Sequence, residues 1–159
     1  MTTNASRRRA GVQALDDADK ALIELLQRDG RMPYSKLAGE VGLSEAAVRQ
    51  RVQRLVEGNV VQIVAVTDPL RLGFRRQAMI GVRTEGDITE VARALSDIAE
   101  IDYVVYTSGS FDLLAEMVCE DDEHLLTLLN EIRRMPGVRA TETFMYLRLE
   151  KQTYSWGTR

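Results

Sequence analysis

A strand–helix–strand pattern occurs twice in succession between residues 77 and 150, and few folds accommodate it. AMIGVRT (78–84) reads as a strand, and DITEVARALSDIA (87–99) is a helix with Ile88, Val91, Ala92, Leu95 and Ile98 on one face. DYVVYT (102–107) is a second strand. The order then repeats: FDLLAEMVCE (111–120) is a strand, DEHLLTLLNEIRRM (122–135) a helix with Leu125, Leu128, Leu129 and Ile132 inward, and VRATETFMYLRLE (138–150) a strand. A βαββαβ order predicts a ferredoxin-like domain, a four-stranded antiparallel sheet with both helices on one side. The other sheet face needs cover, and a second copy of the chain is the simplest candidate. A homodimer with facing sheets is therefore expected.

The N-terminal part has a different grammar. In LDDADKALIELLQRDG, Asp16 is a good N-cap, Asp17 and Asp19 put negative charge against the helix dipole, and Leu22, Leu25 and Leu26 form a buried stripe. Gly30 is expected to stop this helix in the left-handed conformation. The stretch 34–61, YSKLAGEVGLSEAAVRQRVQRLVEGNVV, reads as a short helix, a turn at Gly42, a second helix opening at Ser44 and a strand from Val60. Leu37, Ala38 and Val41 face Val48, Val52 and Leu55 across that turn. Ser44 should cap the second helix with Glu45 near its positive end, although Ala47 stands where a full capping box carries Glu or Gln. Ala46, Ala47, Arg49, Gln50, Gln53 and Arg54 then point largely outward, side chains that suit a helix in a DNA major groove. Arg51 lies between the apolar stripe and that face, placed for a buried ion pair or a phosphate contact. The candidate DNA contacts are thus Ser44, Glu45, Ala46, Ala47, Arg49, Gln50, Arg51, Gln53 and Arg54. Gln50 and Gln53 suit adenine edges, and Arg49 and Arg54 suit guanine or phosphate.

The run VVQIVAVT (60–67) is β-branched and is expected to leave the helical unit as a strand, after which Asp68-Pro69 and Gly73 mark a hinge. The fold class is α+β in two domains, a three-helix winged helix-turn-helix followed by the ferredoxin-like domain. The expected boundaries are a disordered basic arm over 1–14, the helix-turn-helix DNA-binding domain over 15–66, a hinge over 67–76, the ferredoxin-like domain over 77–150, and a tail over 151–159. Charge supports the division: residues 1–76 carry 13 Lys/Arg against 9 Asp/Glu, and residues 77–159 carry 8 against 15. A basic module for a polyanion joined to an acidic module with another task fits that asymmetry. Arg7, Arg8 and Arg9 suit a phosphate-tracking arm or an inert solvated tail.

Several function classes have little support. No signal-peptide core or apolar run of about 18 residues appears, so a cytoplasmic protein without a membrane partner is expected, and DNA binding would make it nucleoid-associated. His124 is the single histidine, sits in an acidic helix start and has no Cys or His at ligand spacing. Cys119, also single, reads as a buried, inert thiol. No phosphate-cradling glycine run is present, so neither catalysis nor a cofactor or metal is expected. Tyr154 and Trp156 are placed either to dock on a neighbouring subunit or to pack on their own chain.

The segments LDDAD, LLQRDGR, LAGEVGLS, RVQRL, LGF, GSFDLL and PGV, in this order and spacing, resemble the Lrp/AsnC (feast/famine) family of transcriptional regulators over residues 15–150. Asn59 departs from that pattern, which usually has Gly there, and Ser110 stands where a charged or polar residue often sits. The resemblance implies a sequence-specific regulator that binds double-stranded DNA at a pseudo-palindromic site as a homodimer, assembling into higher oligomers. It also implies a small effector, an amino acid, bound near the loop joining the second and third strands of the second module. Here that loop is Thr107, Ser108, Gly109, Ser110, Phe111 and Asp112. Gly109 would let backbone N–H groups meet a carboxylate, and Asp112 would accept from an α-ammonium. The plainer alternative is a hairpin whose Ser, Gly and Asp merely make the turn. Thr141 and Glu142 on the last strand are weaker effector candidates. An amino-acid-sensing regulatory subunit of a metabolic enzyme is the alternative function, since ferredoxin-like ligand domains also serve there.

Overall fold

The computed structural model describes residues 14–159, so the expected basic arm lies almost wholly outside the described residues. The chain forms two compact units, one running through Ala65 and including Gln152–Arg159, the other Val66–Lys151.

In the first unit, α1 (Asp17–Arg28), α2 (Tyr34–Val41) and α3 (Glu45–Glu57) follow the hydrophobic periods of the sequence. Asp16 caps α1 by accepting from the Asp19 N–H at 2.8 Å, and Ser44 caps α3 by accepting from the Ala47 N–H at 3.2 Å. Gly42 closes α2 with φ +67°, a left-handed turn that an ordinary side chain would strain. Asn59 also adopts positive φ, as the nearest substitute for glycine after α3. Gly30 does not, contrary to expectation. The preceding residue ends α1 instead: Asp29 is extended, and its carboxylate accepts from the Arg31 N–H at 2.9 Å. Leu22, Leu26, Leu37, Ala38, Val48 and Val52 form the core. The tail returns to α1, where the Gly157 N–H donates to Gln27 Oε1 at 3.1 Å and Thr158 Oγ1 donates to Glu24 Oε1 at 2.7 Å; Trp156 itself stays 79% exposed.

The run 60–67 is not a strand, which corrects the sequence expectation and leaves the helix-turn-helix without a wing strand among the described residues. The Val60 and Val61 N–H groups turn back to the Leu55 carbonyl, and Ile63, Val64 and Val66 are exposed. β-branched residues favour an extended backbone, but a strand also needs a neighbour to complete its hydrogen bonds.

The second unit opens with a short 3₁₀ turn (Pro69–Leu72), initiated by the Asp68 side chain and closed by Gly73 at φ +100°. β1 (Arg76–Thr84), α4 (Ile88–Ser96), β2 (Ile101–Tyr106), β3 (Leu113–Cys119), α5 (Asp122–Arg133) and β4 (Val138–Met145) follow, with sheet order β2-β3-β1-β4 and every pair antiparallel. This is the expected ferredoxin-like arrangement. β4 ends at Met145 rather than 150, because its partner β1 begins at Arg76 and the last backbone bond available is Tyr146 N–H to Gln77 O, 2.9 Å. Ala78, Ile80 and Val82 lie opposite Met117, Ala115 and Leu113, and with Val91, Leu95, Leu128 and Ile132 they make the core. The paired residues of the other face include Met79 with Phe144, Gly81 with Leu114 and Glu142, and Leu114 with Val105. That face mixes apolar and polar groups. On it, Gln77 Nε2 donates to Glu116 at 2.8 Å, and burial together with Glu116 pushes the Tyr146 phenol up to about 12.

Candidate functional site

Helix α3 sorts its residues by angle. At about 100° per residue, Glu45, Ala46, Arg49, Gln50 and Gln53 fall on one arc, with Arg54 at its border and Arg51 behind. All five arc residues and Ser44 are exposed, whereas Ala47 is half-buried, further inward than the sequence suggested. Val48, Val52 and Leu55 hold the opposite side in the core.

Arg51 and Arg54 are committed elsewhere. Asp19, only 2% exposed on α1, accepts from Arg51 Nη1 at 2.8 Å and from Arg54 Nη2 at 2.8 and 3.0 Å. Arg51 Nη1 also donates to Asp16 Oδ2 at 2.7 Å. The Asp19 backbone N–H and then Arg51 hold the Asp16 carboxyl below the usual carboxylate range; Asp16 and Asp19 in turn raise the Arg51 guanidinium. The ambiguity at Arg51 thus resolves to an ion pair, and Arg54, expected outward, is turned toward α1 with part of its guanidinium still open to solvent. Asp19 is the residue that sequence reasoning missed. Its only signal was an acidic position in the first turn of α1, which says nothing of a partner 32 or 35 residues away.

On the exposed arc, Arg49 Nη2 donates to Glu45 Oε1 at 3.0 Å, and its guanidinium lies 4.7 Å from the Tyr34 ring centroid. Gln53 Nε2 donates to Glu57 at 2.8 Å. The arc therefore presents one cation, one carboxylate and two amides from a helix whose back is fixed, a donor and acceptor set matched to base edges.

The loop 107–112 is a closed hairpin. The Thr107 N–H donates to the Asp112 carbonyl at 2.9 Å, its hydroxyl to the Phe111 carbonyl, and Arg83 Nε to the Ser110 carbonyl at 2.9 Å. Asp112 Oδ2 accepts from the Thr84 N–H at 2.6 Å and from its hydroxyl at 3.1 Å, so one carboxylate oxygen is already used in tying the loop to β1. Gly109 does not use the left-handed region, while Ser108, Gly109 and Ser110 remain exposed. Phe111 lies across β1, seated where Gly81 lacks a side chain, edge-on to Phe144 at 5.9 Å and beneath Arg83 at 5.0 Å. Thr141 and Glu142 are not brought together. Their register partners are Val82 and Gly81, on opposite sheet faces, and Thr141 accepts from Arg133 Nε at 3.2 Å.

His124 Nε2 lies 3.2 Å from Glu100 Oε1, and its Nδ1 accepts from the Glu120 N–H at 3.4 Å. Cys119 is buried, and burial pushes its thiol up. No metal-binding group of side chains occurs among the described residues, and no helix there is long and apolar enough to cross a membrane.

Comparison with known proteins matches both units. An AsnC-type helix-turn-helix domain profile covers residues 15–56, and the profile of a C-terminal dimeric alpha+beta barrel domain of AsnC-type regulators covers residues 74–159. The HTH-type transcriptional regulator FL11 of Pyrococcus furiosus is 34% identical over 141 residues, which span 87% of this chain and 93% of FL11. Among solved structures, AsnC of E. coli matches with a TM-score of 0.76 at 22% identity, over 89% of this chain and 98% of that one. The transcriptional regulator NMB0573 of Neisseria meningitidis, solved as an L-Met complex, matches with a TM-score of 0.76 at 23% identity, over 89% and 96%. These two likenesses speak to the fold.

Proposed function

The chain belongs to the Lrp/AsnC family of transcriptional regulators, and on that premise we propose how it acts: two copies read a pseudo-palindromic duplex site, and an amino acid at the 107–112 loop adjusts their assembly. The protein is a regulator rather than an enzyme, as its relatives are. The observation that carries the proposal is the exposed arc of α3, five polar or small side chains on a helix locked from behind by Asp19. Such a helix enters a major groove as a rigid reader, and a dimer presents two of them to half-sites one helical turn or a multiple apart. The dimer is supported by the open face of the β-sheet and by the dimeric description of the matching domain. Higher oligomers would form from these dimers.

Support for an effector comes from the loop's exposed Ser108, Gly109 and Ser110, and from the L-Met bound by NMB0573. The exposed loop backbone would meet the ligand carboxylate. With Asp112 Oδ2 engaged by Thr84, an α-ammonium would take the other Asp112 oxygen or a loop carbonyl. Binding shifts assembly only as far as the ligand prefers one assembly over another, so the effect on DNA affinity cannot exceed that preference. The test is selection of genomic fragments by the purified protein, with and without a panel of amino acids and across a salt series. Enrichment of a palindromic motif, steep weakening with salt and a change with at least one amino acid are expected. No salt-dependent duplex binding would return the chain to the alternative of an enzyme's regulatory subunit, and binding indifferent to every amino acid would remove the effector loop.

A further inference from the structure

Resting on that DNA-reading role, we propose that Arg49 and Glu45 together read one G·C pair in each half-site, and that Tyr34 is the residue that positions Arg49. Helix α3 has three arginines, and two of them are spent on Asp16 and Asp19. Arg49 is the cation left on the exposed arc. It is not loose there: the first residue of α2, Tyr34, is half-buried against the core and offers its ring 4.7 Å from the guanidinium carbon.

A cation–π contact of this kind holds the guanidinium over the ring and leaves N–H donors available for a planar partner. One donor meets Glu45 at 3.0 Å, one turn earlier on the same face. Both side chains of this pair are more than half exposed, so the link is weak and yields readily to a better acceptor. In the major groove guanine presents two acceptors, O6 and N7, while its partner cytosine presents an amino donor. A fixed arginine fork beside a carboxylate complements that set. An A·T pair offers one acceptor and one donor on adenine and would leave part of the fork unpaired. Gln50 lies on the same arc and is left to neighbouring positions.

The experiment is selection from a randomised duplex pool with the full chain and with Arg49→Ala, Tyr34→Phe and Tyr34→Leu, followed by affinity measurements against single-base variants of the selected site. The unsubstituted chain should select a G·C pair placed symmetrically in both half-sites. Arg49→Ala should flatten the preference at that pair by about 10-fold or more and leave other positions unchanged. Tyr34→Phe keeps the ring and should keep the preference, whereas Tyr34→Leu should relax it. If Tyr34→Leu does not fold, Arg49→Ala and Tyr34→Phe decide. Arg49→Ala weakening all sequences alike, with the salt slope reduced by about 1, would make Arg49 a phosphate contact and overturn the assignment. Survival of the G·C preference in Arg49→Ala overturns it as well. A chain that selects no sequence at all fails at the earlier step, the DNA-reading role itself, and takes this inference with it.

Discussion

Asp19 holds a charge almost out of reach of water, and both its oxygens are satisfied by arginines three residues apart on another helix. Removing Asp19 strips both arginines of a shared charge-assisted partner, although each guanidinium reaches solvent and Arg51 keeps Asp16. Asp19→Ala should therefore destabilise the helical unit by about 1.5–3 kcal/mol, read as a lower urea midpoint at unchanged slope. A loss under about 1 kcal/mol would place the cluster among ordinary surface pairs. Asp16 adds a pH signature of definite sign. Its carboxyl is held below the ordinary range by the Asp19 N–H and by Arg51, so its contribution is complete above that range and is lost as pH falls below it, toward and through the depressed value. Asp16→Asn should flatten this acid limb. From sequence, Asp16 and Ser44 were legible as caps because a cap is a local event. The helical period alone leaves Arg51 between two roles and points Arg54 outward. Both depend on where α1 crosses α3, which no local pattern encodes.

At the scale of elements, Gly81 is anomalous in the middle of β1, where glycine weakens a strand. A Cβ there would stand 2.7 Å from the Phe111 ring, so the missing side chain is what lets Phe111 lie across the sheet. Gly81→Val should thus destabilise by about 1–3 kcal/mol through overpacking, although valine is the better strand former. Thermal unfolding of Gly81→Val beside Gly81→Val/Phe111→Ala checks this, with the double variant recovering much of the loss. Equal melting of Gly81→Val and the parent would deny the seat. The helices and sheet strands themselves were legible, since periods of 2 and 3.6 report which face is buried. The failures share one cause. The run 60–67 has the composition of a strand but no neighbour, β4 cannot continue past the start of β1, and the pleat separates Thr141 from Glu142. Partners and faces belong to the sheet rather than to the segment.

The whole molecule carries a sheet with helices on one face and, on the other, Met79, Val105, Leu114, Val118 and Phe144 among a few polar groups. A second copy supplying the same surface satisfies it symmetrically, as an isologous interface does. In the proposed function assembly also governs DNA affinity, because joining two reading units makes the second contact intramolecular. Leu114 is central to that face, opposite both Gly81 and Val105, while its neighbours Leu113 and Ala115 point into the core beneath the helices. Leu114→Arg should consequently leave the unit folded, with unchanged helical circular dichroism, and shift the scattering mass toward the 17.9 kDa of one chain. Affinity for a two-half-site duplex should then fall by roughly a hundredfold, while affinity for an isolated half-site changes little. The added positive charge works against this result, since it favours binding to any duplex, so a fall is the more telling outcome. A Leu114→Arg chain that remained dimeric and bound the full site as before would move the interface off the sheet.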